Sequence, residues 1–257
     1  MTDMINTLQI RNLTIGSGVP GIIVPIVDRT EKAILGKAES VKSLNIQMIE
    51  WRVDFFDEVF NTERVIHVAS SLRSILGDMA LLFTFRSKRE GGDKEIDLDS
   101  YTALNTQAAN SGKVDLIDVE VFSGDEAAKK NIEAIHRAGV RVVGSYHDFS
   151  ATPSKEDIIG RLRKMQEMGV DIPKIAVMPK SSDDVLTLLS ATNEMKEKYA
   201  DRPIITMSMA GKGVLSRLSG ELFGSSMSFG AVGQTSAPGQ IPVEKLSTVL
   251  NIVHNAL

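Results

Sequence analysis

The sequence contains no cysteine among its 257 residues, which excludes disulfide bonds, thiol nucleophiles and cysteine-ligated metals. Basic residues number 29 against 33 acidic ones, so the net charge of -4 offers no basic surface of the kind that binds nucleic acid. No stretch approaches the ~18 consecutive apolar residues of a membrane helix. The first residues, MTDMINTLQIRN, lack the basic start and apolar run of a signal peptide. We therefore expect a cytoplasmic protein with neither a nucleic-acid nor a membrane partner.

Histidine is also scarce, with four copies in the chain. Three of them fall in predicted helices, where ordinary surface or boundary positions are expected: His67, His136 and His254. The fourth, His147, lies near the end of a predicted strand. A metal site built from His147, Asp118 and Glu120 is a competing interpretation, but these residues lack any recognisable ligand spacing. We expect no bound metal.

Short apolar or β-rich runs alternate with longer segments of helical period along the whole chain. The eight predicted strands are 21–28, 48–56, 81–87, 116–122, 141–149, 172–179, 203–210 and 226–233. Amphipathic segments such as 125–138 and 155–168 separate them, and a last helix is predicted over 242–256. This alternation predicts parallel βαβ units. Eight units favour one closed (β/α)₈ TIM barrel, a single domain over 1–257.

Two further features bear on the fold. The segment LQIRNLTIGSG (8–18) precedes the first strand and is predicted to form a hairpin that caps the bottom of the barrel. An open, doubly wound sheet is the main alternative architecture. It is disfavoured because no predicted strand is followed by a GxGxxG or Walker loop.

Polar side chains recur on one face of the predicted strands, because side chains alternate between the two faces of a strand. The residues on this polar face are Glu50, Arg52, Asp54, Thr84, Arg86, Asp118, Glu120, Ser145, His147 and Lys174. The apolar face belongs against the surrounding helices, so the polar face points into the barrel. Barrel active sites are built at the C-terminal mouth, and a functional cavity there accounts for these residues together.

Lys174 is a lone lysine in the apolar strand IPKIAVMP (172–179). A strand lysine usually reaches solvent along its aliphatic stem. Buried in a barrel near Arg52, Arg86 or Arg217, however, its amine would favour the neutral, nucleophilic form. We expect it to form a Schiff base with a carbonyl substrate, and no external cofactor is then required.

Other groups supply what this chemistry needs. His147 suits the acid/base role near neutral pH, and Glu90 could orient it. Arg217 could clamp a carboxylate or a phosphate through two hydrogen bonds. The Gly-, Ser- and Ala-rich segment 226–242 is either an ordinary strand and loop or a lid that closes over the substrate.

Six segments, taken together and in order, resemble one known family over essentially the whole chain. They are EWRVDFF (50–56), TFRSKREGG (84–92), SYHDFSATP (145–153), PKIAVMP (173–179), TMSMAGKG (206–213) and FGAVGQTSAPGQ (229–240). The family is type I 3-dehydroquinate dehydratase, a metal-free (β/α)₈ barrel that is usually a homodimer. The resemblance implies syn dehydration of 3-dehydroquinate to 3-dehydroshikimate in the shikimate pathway.

The resemblance also implies a role for each matching residue. Lys174 corresponds to the Schiff-base lysine, His147 to the general acid/base, and Glu90 to the carboxylate that partners the histidine. Arg217 corresponds to the clamp for the substrate carboxylate. The remaining implied substrate contacts are Glu50, Arg52 and Arg86 at the ring hydroxyls, Met207 against the ring, and Phe229, Ser236 and Gln240 in the lid.

Two other classes of function stay open. A Schiff-base aldolase acting on a phosphorylated sugar would hold phosphate near Gly211-Lys212-Gly213 and the segment SAPGQ (236–240). The His147 and Glu90 pair and SAPGQ itself favour the dehydratase. A non-catalytic binding barrel would be expected to lack Lys174 or His147, and both are present.

Overall fold

The computed structural model describes residues 7–257 as alternating strands and helices. The strands are β1 (Leu8–Ile10), β2 (Leu13–Ile15), β3 (Gly21–Ile26), β4 (Met48–Arg52), β5 (Ala80–Thr84), β6 (Leu116–Glu120), β7 (Arg141–Asp148), β8 (Ile172–Val177), β9 (Ile205–Ser208), β10 (Met227–Ala231) and β11 (Ile241–Pro242). The helices are α1 (Glu31–Val41), α2 (Thr62–Leu76), α3 (Leu98–Asn110), α4 (Asp125–Arg137), α5 (Lys155–Glu167), α6 (Ser182–Lys198), α7 (Val214–Leu218), α8 (Gly220–Phe223) and α9 (Val243–His254).

The main sheet is parallel and curls into a barrel. Its order is β11-β10-β3-β4-β5-β6-β7-β8-β9. The ends of this sheet meet, because a parallel bridge joins Ile204 to Ser225 and the Ser226 N–H donates to the Ile204 carbonyl at 2.9 Å. The predicted (β/α)₈ barrel is therefore confirmed, and the alternative of an open, doubly wound sheet is wrong.

Local sequence explains where the helices begin. In several of them a side chain accepts a backbone N–H of the first turn, which satisfies a donor that has no partner inside the helix. These capping residues are Thr30, Asn61, Asp97, Ser154 and Ser181. Within residues 7–257, no helix has the length and apolar character needed to cross a membrane.

Alternation along the strands produces two separate apolar clusters. In β4, Ile49 and Trp51 belong to the larger cluster, which lies between the sheet and the helices. Met48 belongs to a smaller cluster inside the barrel, together with Leu116 and Ile172 from other strands. The inner cluster leaves the upper part of the barrel interior to polar side chains, as the strand pattern predicted.

The predicted N-terminal hairpin is present and closes the bottom of the barrel. β1 and β2 pair antiparallel, with Leu8 opposite Ile15. Ile10 and Ile15 are buried and belong to the inner apolar cluster. Arg11 Nε donates to Asp115 Oδ1 at 2.6 Å, which ties the hairpin to the residue just before β6. The lower half of the barrel is therefore a packed core.

All eight predicted strands end one to four residues earlier than expected, and among them are the three that end at Arg52, Thr84 and Glu120. After each of these three the chain forms a short 3₁₀ turn, at Val53–Phe55, Lys88–Glu90 and Val121–Ser123. Side chains replace the strand ladder here, since the Asp54 carboxylate accepts the backbone N–H of Arg86 at 3.2 Å and of Asp93 at 3.1 Å. The prediction that the strands extend to Asp54 and Arg86 was therefore wrong. Both side chains are nevertheless buried at the C-terminal end of the barrel.

Candidate active site

A pocket with an unfilled volume of about 450 Å³ opens at the C-terminal mouth of the barrel. All eleven residues predicted for the site line it: Glu50, Arg52, Arg86, Glu90, His147, Lys174, Met207, Arg217, Phe229, Ser236 and Gln240. Gly91, Phe149 and Ala237 also line the pocket and were not predicted. Phe149 could have been suspected because it follows His147 by two residues, and its ring stacks on the imidazole with centroids 6.4 Å apart.

Lys174 occupies the middle of β8, opposite Ser145 on β7 and Ile205 on β9. Its side chain is buried, so it does not reach solvent as a strand lysine often does. The Nζ atom lies 3.3 Å from Asp118 Oδ2, 3.9 Å from Glu50 Oε1 and 4.7 Å from the centroid of the Phe229 ring. The charged groups in contact are carboxylates, whereas the sequence suggested arginines.

His147 and Glu90 form the predicted pair. Glu90 Oε2 lies 3.0 Å from His147 Nδ1 and also accepts the backbone N–H of His147 at 3.1 Å. The 3₁₀ turn that carries Glu90 depends on Gly92, because a Cβ there would lie 1.8 Å from the Arg86 carbonyl oxygen. The carboxylate thereby holds the imidazole by both its ring and its backbone.

Burial dominates the protonation of this pair. It lowers the pKa of His147 well below its usual value, and the charges of Arg86, Lys174 and Arg52 act in the same direction. Burial also raises the pKa of Glu90 to about 8; Arg86 opposes this shift, and the Glu120 and Asp118 carboxylates add to it. The resting imidazole is therefore neutral near pH 7, and Glu90 binds it as a hydrogen-bond partner.

Arg86 is the centre of a buried ionic network. Its guanidinium lies 2.8 Å from Asp118 Oδ1, 3.1 Å from Glu120 Oε1 and 3.5 Å from Glu90 Oε2. It also donates to Ser145 Oγ at 2.9 Å. Burial acts to lower the pKa of Arg86, but these carboxylates hold it well above its usual value. The guanidinium therefore stays charged and ties three strands together at the mouth.

The alternative metal site has no support in residues 7–257. No group of three or more His, Asp or Glu side chains has an arrangement that could hold a metal ion. Glu120 instead accepts hydrogen bonds from the backbone and hydroxyl of Ser87, at 2.8 and 2.7 Å. Asp118 and Glu120 are thus bound by protein donors.

Glu50 and Arg52 reach the pocket from β4 and are both anchored. Arg52 makes two parallel hydrogen bonds to Asp54, each 2.8 Å long, so a structural ion pair coexists with its position in the pocket wall. Glu50 Oε1 accepts a hydrogen bond from the Thr84 hydroxyl at 3.0 Å. These contacts fix one donor and one acceptor at the pocket surface.

Arg217 on α7 is a buried cation without a carboxylate partner in residues 7–257. Its Nη2 donates to the Pro238 carbonyl at 3.2 Å, its Nη1 contacts Met207 Sδ at 3.7 Å, and its Nε has no hydrogen-bond partner. Burial lowers the pKa of Arg217 to about 10, so it remains charged at neutral pH. An anion in the pocket would satisfy this group.

The loop 232–240, which the sequence suggested as a lid, forms part of the pocket wall. Ser236 and Gln240 are joined by two hydrogen bonds of 3.0 and 2.9 Å, and both line the pocket with Ala237. The Pro238 carbonyl accepts the Ala210 N–H at 3.1 Å, which docks the loop on the barrel. Gly211-Lys212-Gly213, the alternative phosphate loop, does not line the pocket, and Lys212 Nζ donates to the Lys180 carbonyl.

Fold and site together define a barrel enzyme whose mouth holds a buried lysine, a histidine–carboxylate pair and an arginine with no carboxylate partner in the described part of the chain. The family model described as type I 3-dehydroquinase matches residues 22–256. The chain belongs to this type I 3-dehydroquinase family and is a hydro-lyase.

Individual relatives agree with this assignment over their full length. A 3-dehydroquinate dehydratase of Clostridioides difficile (strain 630) is 53% identical over 250 residues, covering 97% of this chain and 98% of the relative. One of Salmonella agona (strain SL483) is 51% identical and covers 97% and 99%. A crystal structure of the type I enzyme from Clostridium difficile, with covalent modified comenic acid, has a TM-score of 0.96 at 53% identity and covers 99% and 100%. The Geobacillus kaustophilus HTA426 enzyme has a TM-score of 0.95 at 39% identity and covers 99% of each chain.

Proposed function

We propose that this protein removes water from 3-dehydroquinate to give 3-dehydroshikimate, through a Schiff base on Lys174. The observation that carries the proposal is the burial of this amine in the pocket at the barrel mouth, beside a neutral histidine and an arginine that has no carboxylate partner within residues 7–257. A related enzyme of 53% identity was solved with covalent modified comenic acid, which agrees with covalent chemistry in the family.

The first step joins Lys174 to the substrate. The neutral amine adds to the C3 ketone, and the resulting carbinolamine accepts a proton and loses water to leave a protonated imine. This positive nitrogen is an electron sink that acidifies the hydrogen on C2. Lys174 is buried away from bulk water, which limits premature hydrolysis of the imine.

The next steps need an acid/base, which we assign to His147. Its neutral ring can take the C2 proton, which leaves an enamine, and the resulting imidazolium can pass a proton to the departing C1 hydroxyl. One group acting in turn on both atoms accounts for syn elimination. Glu90 holds the ring through Nδ1, which leaves Nε2 for the substrate. Water then hydrolyses the conjugated imine and releases the enone product.

The rest of the pocket positions the substrate. We assign its carboxylate to Arg217, whose Nε has no hydrogen-bond partner among the residues that the structure describes. Glu50, Arg52 and Arg86 supply donors and acceptors for the ring hydroxyls. Apolar packing and lid closure come from Met207, Phe229, Ser236 and Gln240.

Borohydride trapping tests the assignment. Sodium borohydride added with 3-dehydroquinate reduces a lysine imine to a stable amine, and peptide mass mapping then identifies the modified residue. We expect the adduct on Lys174 only. Lys174→Ala is expected to lose both the adduct and the rise in enone absorbance while keeping its thermal stability.

The exposed lysine Lys129 on α4 provides the matched control. Lys129→Ala should form the adduct and turn over at the wild-type rate. Dehydration by Lys174→Ala at an undiminished rate, or an adduct on another residue, would refute the proposal. Turnover of phosphorylated aldol substrates without dehydration would indicate the aldolase instead.

Further properties of the family carry over as proposals. We propose that the chain acts as one catalytic domain, works in the shikimate pathway in the cytoplasm, and forms a homodimer. Exposed apolar side chains on the last three helices supply surface for a subunit contact: Leu215, Leu222 and Ile252. Size-exclusion chromatography with light scattering measures the mass directly, and a monomer at all concentrations would contradict the dimer.

A further inference from the structure

Asp118 is a buried carboxylate beside the active site that does not line the pocket. It lies in the middle of β6, opposite Val143 of β7. Its two oxygens face different partners. Oδ1 accepts a hydrogen bond from Ser145 Oγ at 2.6 Å and lies 2.8 Å from Arg86 Nη2. Oδ2 accepts from Lys174 Nζ at 3.3 Å.

Among residues 7–257, Asp118 is the one hydrogen-bond acceptor for Lys174 Nζ. The other nearby carboxylate, Glu50, is 3.9 Å away, beyond hydrogen-bond distance, and lies in the pocket wall. The Phe229 ring lies 4.7 Å from Nζ, measured to its centroid. The amine is thus held by one directional contact, and that contact comes from behind the pocket.

The contact is rigid because three neighbouring strands build it. Ser145 pairs in register with Lys174 on one side and with Glu120 on the other. Arg86 and Ser145 together immobilise Oδ1 of Asp118, so Oδ2 has little freedom. The ionised form of Asp118 is also favoured. Burial acts to raise the pKa of Asp118, but Arg86 and Lys174 hold that pKa below its usual value.

We propose that Asp118 is a positioning residue for the reaction: it holds Lys174 Nζ at the pocket floor and stabilises the positive charge that the nitrogen carries in the imine. This inference rests on the proposed function. When the C–N bond forms and the C–O bond breaks with loss of water, the nitrogen becomes cationic. An ionised carboxylate at 3.3 Å balances this charge without touching the substrate.

Asp118→Asn tests the proposal because it keeps the shape of the side chain and removes its charge. The amide nitrogen can also turn a donor towards Nζ. We expect kcat to fall about ten- to hundredfold, the loss typical of a hydrogen bond to a charged group, and KM to change much less. Ser145→Ala removes one anchor of Oδ1 and should give a smaller loss of kcat in the same direction.

The pH dependence of borohydride trapping supplies a readout that a purely structural role would not move. The groups around Lys174 Nζ are Asp118 on β6, Glu50 on β4 and, nearby on β7, His147. Without the Asp118 charge the ammonium form is less stable. The acid limit of trapping in Asp118→Asn should therefore shift to lower pH relative to wild type.

Asp115, just before β6, is the matched control. It is also paired with arginines, Arg11 and Arg73, but at the opposite end of the barrel. Asp115→Asn should lower thermal stability while leaving kcat and the trapping profile unchanged. Wild-type kcat in Asp118→Asn, or an equal loss of kcat in Asp115→Asn, would overturn the inference. If wild type itself forms no Lys174 adduct, the proposed function fails first.

Discussion

Arg217 is expected to lower the stability of the protein, and its proposed role is to bind the substrate. Its guanidinium is buried, charged and without a carboxylate partner in residues 7–257, so it lacks the compensation that buried charges normally have. This burial costs stability in the ligand-free state, and under the proposed role of Arg217 an anion in the pocket offsets that cost. A buried charge of this kind is typical of a binding site, because it makes the empty protein less stable.

Arg217→Met is expected to bind substrate poorly and to fold more stably. Loss of the charged clamp should raise KM about ten- to hundredfold, whereas removal of the buried charge should raise the free energy of unfolding by about 1–3 kcal/mol. Steady-state kinetics and urea denaturation measure the two effects. Arg137→Met, at an exposed position on α4, should change neither. If Arg217→Met instead lost stability as well as substrate affinity, Arg217 would have a structural role.

At the scale of elements, the loop 232–240 depends on one close backbone approach. Gly239 has a φ of 81°, and a Cβ there would lie 2.4 Å from the Ala210 carbonyl oxygen. The neighbouring Pro238 carbonyl accepts both the Ala210 N–H and the Arg217 side chain. The docking of the loop 232–240 and the orientation of the Arg217 guanidinium are therefore coupled through the Pro238 carbonyl group.

Gly239→Ala should prevent the lid from docking. We expect kcat/KM to fall at least about tenfold, while thermal stability stays close to wild type because the barrel core is untouched. Gly233→Ala is the matched control: its φ of 73° carries the same left-handed strain, but its nearest neighbour is Lys37 Nζ at 3.5 Å. If kcat/KM fell equally in both variants, backbone strain would be the cause and not the clash with the Ala210 carbonyl.

At the scale of the whole molecule, the barrel separates stability from activity along its axis. The hairpin and the inner apolar cluster fill the N-terminal end, and the charged pocket occupies the C-terminal end. This division is usual for (β/α)₈ barrels, whose catalytic groups stand at the C-terminal ends of the strands. Substitutions at the two ends should therefore have different consequences.

Ile15→Ala should destabilise the protein without changing its kinetics. Ile15 is buried in the bottom plug, and truncation of a buried isoleucine costs about 2–5 kcal/mol. Urea denaturation measures this loss, and kcat and KM are compared under native conditions. Leu186→Ala, at a leucine of α6 that is 60% exposed, should change stability by no more than about 0.5 kcal/mol. An altered kcat in Ile15→Ala would contradict the separation of stability and activity between the two ends of the barrel.

The sequence by itself determined the alternation of elements and the inner face of each strand. Periods of 2 and 3.6 residues are local properties, so eight strands and the positions of Lys174 and His147 could be read from the order of residues. Residue chemistry suggested Glu90, Arg217 and the lid segment as candidates, and the six family segments then gave each a specific role that no local period reveals.

Only the tertiary structure decided how these residues meet. The strands end before Asp54 and Arg86, because the Asp54 carboxylate accepts backbone hydrogen bonds and the chain turns there, but Arg86 lines the pocket as predicted. The contact of Lys174 with Asp118 joins residues 56 positions apart in the chain and depends on how the strands of the barrel are ordered. Whether a charge is paired, as in Arg86, or left open, as in Arg217, is a property of this three-dimensional packing.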